Sequence, residues 1–175
     1  MMRATRGLAA LAVVLMLATQ AHLADAAALD REMRPFDARS LDSIRQLHAG
    51  RPFVLAFWSI YCEPCREEMG EWKAIRQKYP TLPIVLVSTD SPSERATVTE
   101  FLRLYDPGPV ETWVFADEFA ERVRYSVDRT WRGELPRTYL FDAQHRAEAR
   151  SGRFDRRWIE NWQSRQKPAQ RPGER

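Results

Sequence analysis

The sequence contains little cysteine: only two of its 175 residues are of this type, at positions 62 and 65. It also lacks a cationic block, because its 27 lysines and arginines are interspersed with 24 aspartates and glutamates. The net charge of +3 therefore indicates no nucleic-acid partner. We find no internal repeat, and after the first 26 residues no apolar run approaches the length of a transmembrane helix. These absences leave one globular domain of ordinary composition, with 44% hydrophobic and 29% charged residues.

The first 26 residues have the three-part layout of a secretory signal. Two arginines precede an apolar run over residues 8–18, and the Ala-Asp-Ala of residues 24–26 fits the A-x-A cleavage pattern. The apolar run is shorter than the roughly 20 residues of a permanent transmembrane helix. We therefore expect a periplasmic protein without stable membrane insertion after cleavage, in a compartment where thiols can oxidise. An uncleaved N-terminal membrane anchor is the alternative.

The rest of the chain predicts an α/β domain over residues 27–165, followed by a disordered polar tail over residues 166–175. Short apolar runs predict strands, and apolar residues at helical spacing predict helices. The predicted strands are 53–58, 83–88, 111–115, 138–141 and an arm ending near 151. The predicted helices are 41–48, 62–79, 92–105, 118–125 and 155–165, and the spacing in the helix 92–105 predicts that Tyr105 faces inward. Helices between the early strands make those strands parallel, and the closing hairpin adds an antiparallel edge.

The two cysteines stand at the point where the strand 53–58 gives way to the helix 62–79. A helix start has unpaired N–H groups and a partial positive charge, which favour the thiolate, the reactive form of cysteine. Cys62, in the first turn, is therefore predicted to be the nucleophile that attacks a substrate disulfide. Cys65, one turn later, is predicted to resolve the mixed disulfide. Pro64 restricts the backbone between them and is tolerated in a first turn.

Other roles of the cysteine pair stay open at this stage. A disulfide that closes so short a loop adds little stability, and zinc needs two further ligands. Copper(I) accepts few, soft ligands, so a copper carrier that uses both cysteines and His145 is an alternative. His48 is expected on a surface helix. We predict no metal and no cofactor other than a redox-active disulfide between Cys62 and Cys65.

The segment WSIYCEPCREEM, from Trp58 to Met69, resembles the active-site segment of thioredoxin-like proteins. It is most similar to the exported TlpA/ResA-type branch, in which a strand and a helix are inserted after the redox helix and a proline precedes the late hairpin. Residues 84–105 match the inserted segment, and Pro136 matches the proline. The resemblance covers residues 40–165. It implies a thioredoxin-like fold, with a central mixed sheet flanked by helices on both faces.

The resemblance also implies roles for residues that lie apart from the cysteines. It implies a cis peptide bond between Leu135 and Pro136, placed beside the cysteines, where the backbone of Leu135 meets a bound substrate strand. A trans proline that begins an edge strand is the alternative. Trp58 is implied to flank the site and to shape the surface that a substrate contacts; a core aromatic residue at the end of a strand is the alternative.

Glu68 follows Cys65 by three residues and therefore shares its helix face. In the ResA-like branch an acidic residue at this place lies near the cysteines, which implies that Glu68 raises their pKa values and serves as a proton shuttle. A solvated surface glutamate is the alternative. Ala56 stands where thioredoxin has a buried aspartate, so Glu68 is the only nearby candidate for a proton relay to the cysteines. Glu63 adds negative charge beside the thiolate, and Arg66 partly offsets it.

Carboxylates close to the pair oppose stabilisation of the thiolate, and this predicts a reducing protein. The resemblance implies the same: a periplasmic thiol–disulfide oxidoreductase that reduces exported protein disulfides, such as those of apocytochrome c, and is recharged by a membrane electron donor. We expect a monomer. The alternatives are a copper chaperone or copper-site thiol reductase, a dithiol oxidant or isomerase, and a redox-inert binding module.

Overall fold

The structure is a computed structural model that describes residues 33–166. The predicted signal segment and residues 167–175 of the predicted tail lie outside these residues. Among the helices of residues 33–166, none is long and apolar enough to cross a membrane.

The described chain alternates strands and helices around one sheet. Its strands are β1 (Arg34–Phe36), β2 (Phe53–Trp58), β3 (Ile84–Ser88), β4 (Glu111–Phe115), β5 (Arg137–Phe141) and β6 (Ala147–Ser151). Its α-helices are α1 (Ser40–Leu47), α2 (Glu63–Lys78), α3 (Arg95–Tyr105), α4 (Ala120–Val127) and α5 (Arg156–Arg165). A 3-10 turn over Pro92–Glu94 leads into α3.

The six strands form one mixed sheet in the order β1-β4-β3-β2-β5-β6. The first four in this order run parallel to their neighbours, and β5 and β6 are antiparallel. The carboxyl ends of β1 to β4 and the amino end of β5 consequently lie at the same edge, which we call the C-terminal edge of the sheet. The predicted mixed sheet is confirmed, and the segment 84–105 forms the expected strand and helix.

Strand β2 lies inside the sheet, and all six of its side chains are buried. Alternate residues face opposite sides because strand side chains have a period of two. Val54, Ala56 and Trp58 pack with Trp72 of α2 in one core cluster. The other three residues of β2 join a second cluster together with Ile44 of α1. This double burial explains why the segment is a continuous apolar run rather than an alternating one.

Two elements differ from the prediction. Strand β1 was not predicted, because three residues are too few to show a periodicity; it pairs in parallel with β4 and buries Phe36. Helix α4 begins at Ala120, and the expected start at Glu118 is wrong. The carboxylate of Asp117 accepts the N–H of Phe119 at 2.9 Å and forms a turn before the helix, instead of capping it.

Two predicted side-chain environments are also wrong. His48 is buried at the end of α1, where its ring lies 5.1 Å from that of Phe53 and its Nε2 is 2.9 Å from Glu111 Oε1. Tyr105, whose spacing predicted an inward position, lies at the last turn of α3 and is exposed. Its ring stacks outside Phe101 with centroids 4.2 Å apart.

Helix α5 is held by a small number of buried side chains, and we predict that Ile159→Ala is strongly destabilising. The side chain of Ile159 is completely buried, so its truncation is expected to lower the free energy of unfolding by about 2–5 kcal/mol. Denaturant unfolding measures this loss. The exposed Leu104 gives a matched control: Leu104→Ala is expected to change the free energy by no more than about 0.5 kcal/mol. Equal losses in the two variants would contradict the packing described here.

Candidate active site

The cysteine pair lies at the C-terminal edge of the sheet, where a loop over residues 59–61 joins β2 to α2. Cys62 is the N-cap residue of α2, and its Sγ accepts the N–H of Cys65 at 3.2 Å. The two residues form a disulfide, with their Cα atoms 5.2 Å apart. Pro64 occupies the first turn, where the missing N–H has no helical partner to lose. The predicted position of the pair at the start of a helix is confirmed.

The two sulfurs differ in their accessibility. Cys65 is 1% exposed and belongs to the core cluster that also contains Met69, whereas Cys62 is only partly buried at its margin. A group outside the molecule can therefore approach the sulfur of Cys62, whereas the sulfur of Cys65 is covered. This is the asymmetry that a nucleophile and a resolving cysteine need.

The Leu135–Pro136 peptide bond is cis, as the resemblance implied. The pairing of β2 with β5 places Phe57 opposite Arg137, so Pro136 lies level with the end of β2, where the loop to Cys62 begins. Pro136 is buried, and Leu135 is half-buried against both core clusters. The structure thus brings the predicted proline segment to the same edge of the sheet as the cysteines.

A polar cluster holds the start of β5 after this proline. The carboxylate of Asp128 accepts hydrogen bonds from the Arg137 guanidinium at 2.8 Å and from the Tyr139 hydroxyl at 3.1 Å. Burial opposes ionisation of Asp128, but hydrogen bonds from Thr130, Tyr139 and Arg137 outweigh it and lower its pKa to about 2. The chain after Pro136 is therefore anchored by a carboxylate that stays charged at neutral pH.

Trp58 does not have the exposure that a substrate contact requires. It is 2% exposed and packs against Phe101 of α3, with ring centroids 5.2 Å apart. It supports the loop before Cys62 from inside the molecule. The exposed ring beside Cys62 belongs to Tyr61, which is 77% exposed and donates its hydroxyl to Glu94. The hydrogen bond to this carboxylate raises the pKa of Tyr61.

Glu68 lies one turn after Cys65 on the buried face of α2 and is 2% exposed. Its Oε1 accepts the backbone N–H of Phe154 at 2.9 Å. Burial raises the pKa of Glu68 to about 7, although the Phe154 N–H and the positive charge of Arg153 act in the opposite direction. The alternative of a solvated surface glutamate is therefore wrong. A carboxyl group with this pKa exchanges protons readily at neutral pH.

Ion pairs on either side of Glu68 join α2 to the last part of the described chain. Glu67 pairs with Arg153, Glu71 with Arg156 at 2.6 Å, and Lys78 with Glu160 at 2.8 Å. These pairs are largely exposed, so each contributes little energy alone. Together they join α2 to the segment 153–160, whose Phe154 N–H bonds the carboxyl group of Glu68.

The remaining residues of the first turn are on the surface. Glu63 and Arg66 are both exposed, on the side of α2 that faces solvent. Water screens their charges, so their effect on Cys62 is weaker than that of a buried group. Gly70 is also exposed, and α2 continues through it to Lys78.

The copper-carrier alternative required His145 as a third ligand, and the structure places this residue elsewhere. His145 Nε2 is 3.1 Å from the carbonyl oxygen of His48, and its ring lies edge-on to Phe53. Phe53 begins β2, whereas Cys62 follows the end of this six-residue strand, a distance of about 20 Å at 3.3 Å per residue. Within residues 33–166, no three His, Cys, Asp or Glu side chains are grouped as a metal site.

Sequence analysis did not identify one buried carboxylate that contacts the loop before Cys62. Asp90 is 5% exposed, and it accepts hydrogen bonds from Ser59 and Ile60 in the loop before Cys62. It lies two residues beyond the end of β3. The available signal was its position at the carboxyl end of a buried strand next to β2, since parallel strands bring such ends together.

We predict that Glu68→Gln removes a pH dependence of stability. The pKa of Glu68 rises from an ordinary 4.5 to about 7 on folding, so between these values the folded state binds more protons than the unfolded state. The stability that protonated Glu68 contributes is complete below about pH 4.5 and is lost as the pH rises through about 7. The free energy of unfolding of the wild type, relative to Glu68→Gln, should fall by about 3 kcal/mol across this window.

Urea unfolding at several pH values measures this difference. The adjacent Glu67 is exposed and provides a matched control, because Glu67→Gln removes a carboxylate from the same turn without altering a buried group. The Glu67→Gln curve is expected to run parallel to that of the wild type. If the Glu68→Gln curve does so as well, Glu68 is not a proton-exchanging group in this range.

Comparison with curated proteins finds the thiol-disulfide oxidoreductase ResA of Bacillus cereus, which is 28% identical over 94 residues. The aligned part is 53% of this chain and 50% of ResA, so the chain spans about half the length of the curated relative it matches. No family model matches the chain.

Solved structures match a larger part of the chain. A secreted disulfide oxidoreductase of Mycobacterium tuberculosis, homologous to E. coli DsbE, has a TM-score of 0.54 and 15% identity over 66% of this chain and 82% of that one. StoA from Bacillus subtilis has a TM-score of 0.53 and 16% identity, over 66% and 84% of the two chains. The thioredoxin domain of a thiol-disulfide oxidoreductase from Bacteroides vulgatus has a TM-score of 0.56 and 19% identity, over 67% and 82%.

These similarities show that the chain has a thioredoxin-like fold. The match to ResA confirms the resemblance to the TlpA/ResA-type branch that the segment around the cysteines indicated.

Proposed function

We propose that this chain, with a disulfide at the helix start of a thioredoxin-like fold, is an exported thiol–disulfide oxidoreductase that reduces disulfides in other exported proteins. The observation that carries the proposal is the arrangement of the pair: a partly exposed Cys62 at the start of α2, joined to a buried Cys65. The similarity to ResA, StoA and the secreted M. tuberculosis oxidoreductase supports the same class of reaction.

The exchange begins from the dithiol form. The Cys62 thiolate, favoured by the helix start, attacks one sulfur of the substrate disulfide. The S–S bond of the substrate breaks, its other sulfur leaves and takes up a proton, and a mixed disulfide forms. The Cys65 thiolate then attacks Cys62 Sγ and releases the second substrate sulfur. Two electrons pass to the substrate, and the pair ends as the disulfide seen in the structure.

Glu68 is suited to accept the proton of Cys65. Cys65 is buried, and burial disfavours its thiolate, so it requires a proton acceptor at the moment of attack. Glu68 shares the buried face of α2 with Cys65 and has a pKa of about 7. An ordinary solvated glutamate, with a pKa of 4.5, accepts protons poorly at neutral pH. The raised pKa of Glu68 therefore matches the need of the resolving step.

In this proposal the substrate surface around Cys62 includes Tyr61 and the Leu135–Pro136 segment. Tyr61 offers an exposed ring, and Leu135 is half-buried against the core clusters. An extended substrate segment placed between them presents its disulfide to Cys62 and contacts backbone as well as side chains. Selection of this kind depends little on the substrate sequence, which suits a reductase with unfolded or partly folded targets.

The charges near the pair support the reducing direction. Glu68 shares the buried face of α2 with Cys65, and Asp90 bonds the loop before Cys62. The negative charge of Asp90 and the partial negative charge of Glu68 disfavour the thiolate form of the reduced protein. A less stable reduced form is a better electron donor. In the periplasm such a protein requires a membrane electron donor, and apocytochrome c before haem attachment is a fitting substrate.

A dithiol oxidant or isomerase is the second candidate, favoured by the partly exposed helix-start Cys62 alone. It would have a stabilised thiolate and a higher potential. A copper carrier has less support, because His145 lies at the opposite end of β2. We infer a monomer without a nucleic-acid partner, exported through the segment 1–26, with no stable membrane insertion after its cleavage.

We predict that Cys65→Ser accumulates mixed disulfides. Without Cys65 the first attack proceeds and the resolving step does not, so substrate proteins stay bound to Cys62. Non-reducing gels of an exported fraction, followed by reduction and identification of the released proteins, measure the trapped species. Cys62→Ser is the matched control and is expected to trap none. Equal trapping by both variants, or by neither under reductive turnover, contradicts the assigned roles.

The direction of electron flow is tested by the reduction potential of the Cys62–Cys65 couple. Equilibration with glutathione gives the reduction potential of the couple, and for a reductase we expect a value below about −200 mV, toward the value of about −270 mV for thioredoxin. A value well above about −180 mV would assign the oxidant role instead. The measurement uses the purified exported chain and quantifies dithiol and disulfide forms by alkylation and mass spectrometry.

A further inference from the structure

Asp90 lies at the C-terminal edge of the sheet, beneath the loop that leads to Cys62. It is 5% exposed, and three donors converge on its two oxygens. Oδ1 accepts the hydroxyl of Ser59 at 2.5 Å, and Oδ2 accepts the N–H of Ile60 at 3.1 Å and the hydroxyl of Ser88 at 2.6 Å. A carboxylate that satisfies two loop residues and one residue of β3 ties the loop to the sheet.

Ser59 connects Asp90 to Cys62 through hydrogen bonds. Its Oγ accepts the N–H of Tyr61 at 3.1 Å, and its carbonyl oxygen accepts the N–H of Cys62 at 3.1 Å. The carbonyl of Trp58, just before it, accepts the N–H of Thr89 at 2.8 Å. Every residue from the end of β2 to Cys62 is thus bonded to Asp90, to Ser59 or to the chain beside Asp90.

We propose that Asp90 is a positioning residue for the redox site: acting through Ser59, it fixes the loop over residues 59–61 and holds Cys62 within reach of Cys65. The inference rests on the proposed exchange function and adds a residue to it. Asp90 itself touches neither sulfur. It belongs to the turn that follows β3, so the inserted segment 84–105 contributes directly to the geometry of the disulfide.

Two consequences of losing this restraint act in the same direction. A looser loop holds the two sulfurs less well, so closure of the disulfide becomes less favourable. Removal of a negative charge from the base of the loop makes the thiolate of the reduced form more stable. Both effects shift the equilibrium from disulfide to dithiol. A residue that only supports the fold would lower the unfolding temperature and leave this equilibrium unchanged.

The experiment measures the equilibrium of each variant with glutathione. In this reaction two glutathione thiols become one glutathione disulfide, and the protein disulfide takes up two electrons and two protons. We expect Asp90→Asn to shift the constant toward the dithiol by about fivefold, or about 20 mV for this two-electron couple. Ser59→Ala, which keeps the carboxylate and breaks the relay, should shift it about threefold in the same direction.

Two control variants separate this role from a general loss of packing. Ser59→Thr retains the hydroxyl donor and is expected to restore the wild-type constant. Thr99→Ala truncates a buried residue away from the site and removes its part-buried hydrogen bond to the Arg95 carbonyl on α3; it is expected to leave the glutathione equilibrium at the wild-type value. All variants are measured at a temperature at which circular dichroism shows them folded. If Asp90→Asn does not fold, the two Ser59 variants decide.

Shifts toward the dithiol in Asp90→Asn and Ser59→Ala, with wild-type constants in both controls, support the inference. A shift in Asp90→Asn alone would show an effect of charge without positioning and would overturn the inference. A shift in either control variant, or no shift in Asp90→Asn and Ser59→Ala, would overturn it as well. The wild type distinguishes this failure from that of the proposed function: a wild-type pair that does not equilibrate with glutathione removes the exchange function itself.

Discussion

The burial of β2 on both faces is the constraint on which the rest of the structure depends. Its six side chains are divided between two core clusters, and its backbone pairs with β3 on one side and β5 on the other. A strand held in this way has no freedom to shift its register, because a shift of one residue would exchange its two faces. The end of the strand at Trp58 is therefore fixed, and so is the start of the short loop to Cys62.

The site combines influences of opposite sign on the same pair of sulfurs. The start of α2 favours the thiolate of Cys62, while the buried carboxyl groups of Glu68 and Asp90 disfavour negative charge nearby. The two carboxyl groups come from different directions: Glu68 lies along α2, beneath the segment 153–160, and Asp90 lies under the loop, at the end of β3. Their balance with the helix start, rather than any single group, sets the chemistry of the pair.

Much of this arrangement could be predicted from the sequence, and the reasons for the failures are physical. Segments with strong local signals, such as β2 and α2, were predicted to within a residue. The cis bond before Pro136 followed from the resemblance. Strand β1 was missed because an edge strand of three residues gains its stability from pairing with β4 and has no pattern of its own. His48 was misplaced because its burial depends on Phe53 and on residues distant in sequence.

Within the site, too, some residues have a local sequence signal and others depend on contacts with distant residues. Cys62 and Cys65 carry their own signal, since the spacing and the helix start are local. The burial of Glu68 depends on Phe154, and the role of Asp90 depends on Ser59, 31 positions earlier. Tyr61 and Trp58 are both aromatic residues near the cysteines, and only the packing of α3 shows which of them is covered. Contacts of this kind have no periodicity by which a sequence reveals them.

The hydrogen bond from Phe154 to Glu68 joins positions that are 86 residues apart. During synthesis, a nascent chain presents its cysteines before the residues that cover Glu68 have emerged. Until then the carboxyl group is hydrated and ordinarily acidic, and the sulfurs lack the surroundings of the mature protein. The raised pKa of Glu68 is therefore acquired only when residues 153–160 pack against α2, and not when the helix alone has formed.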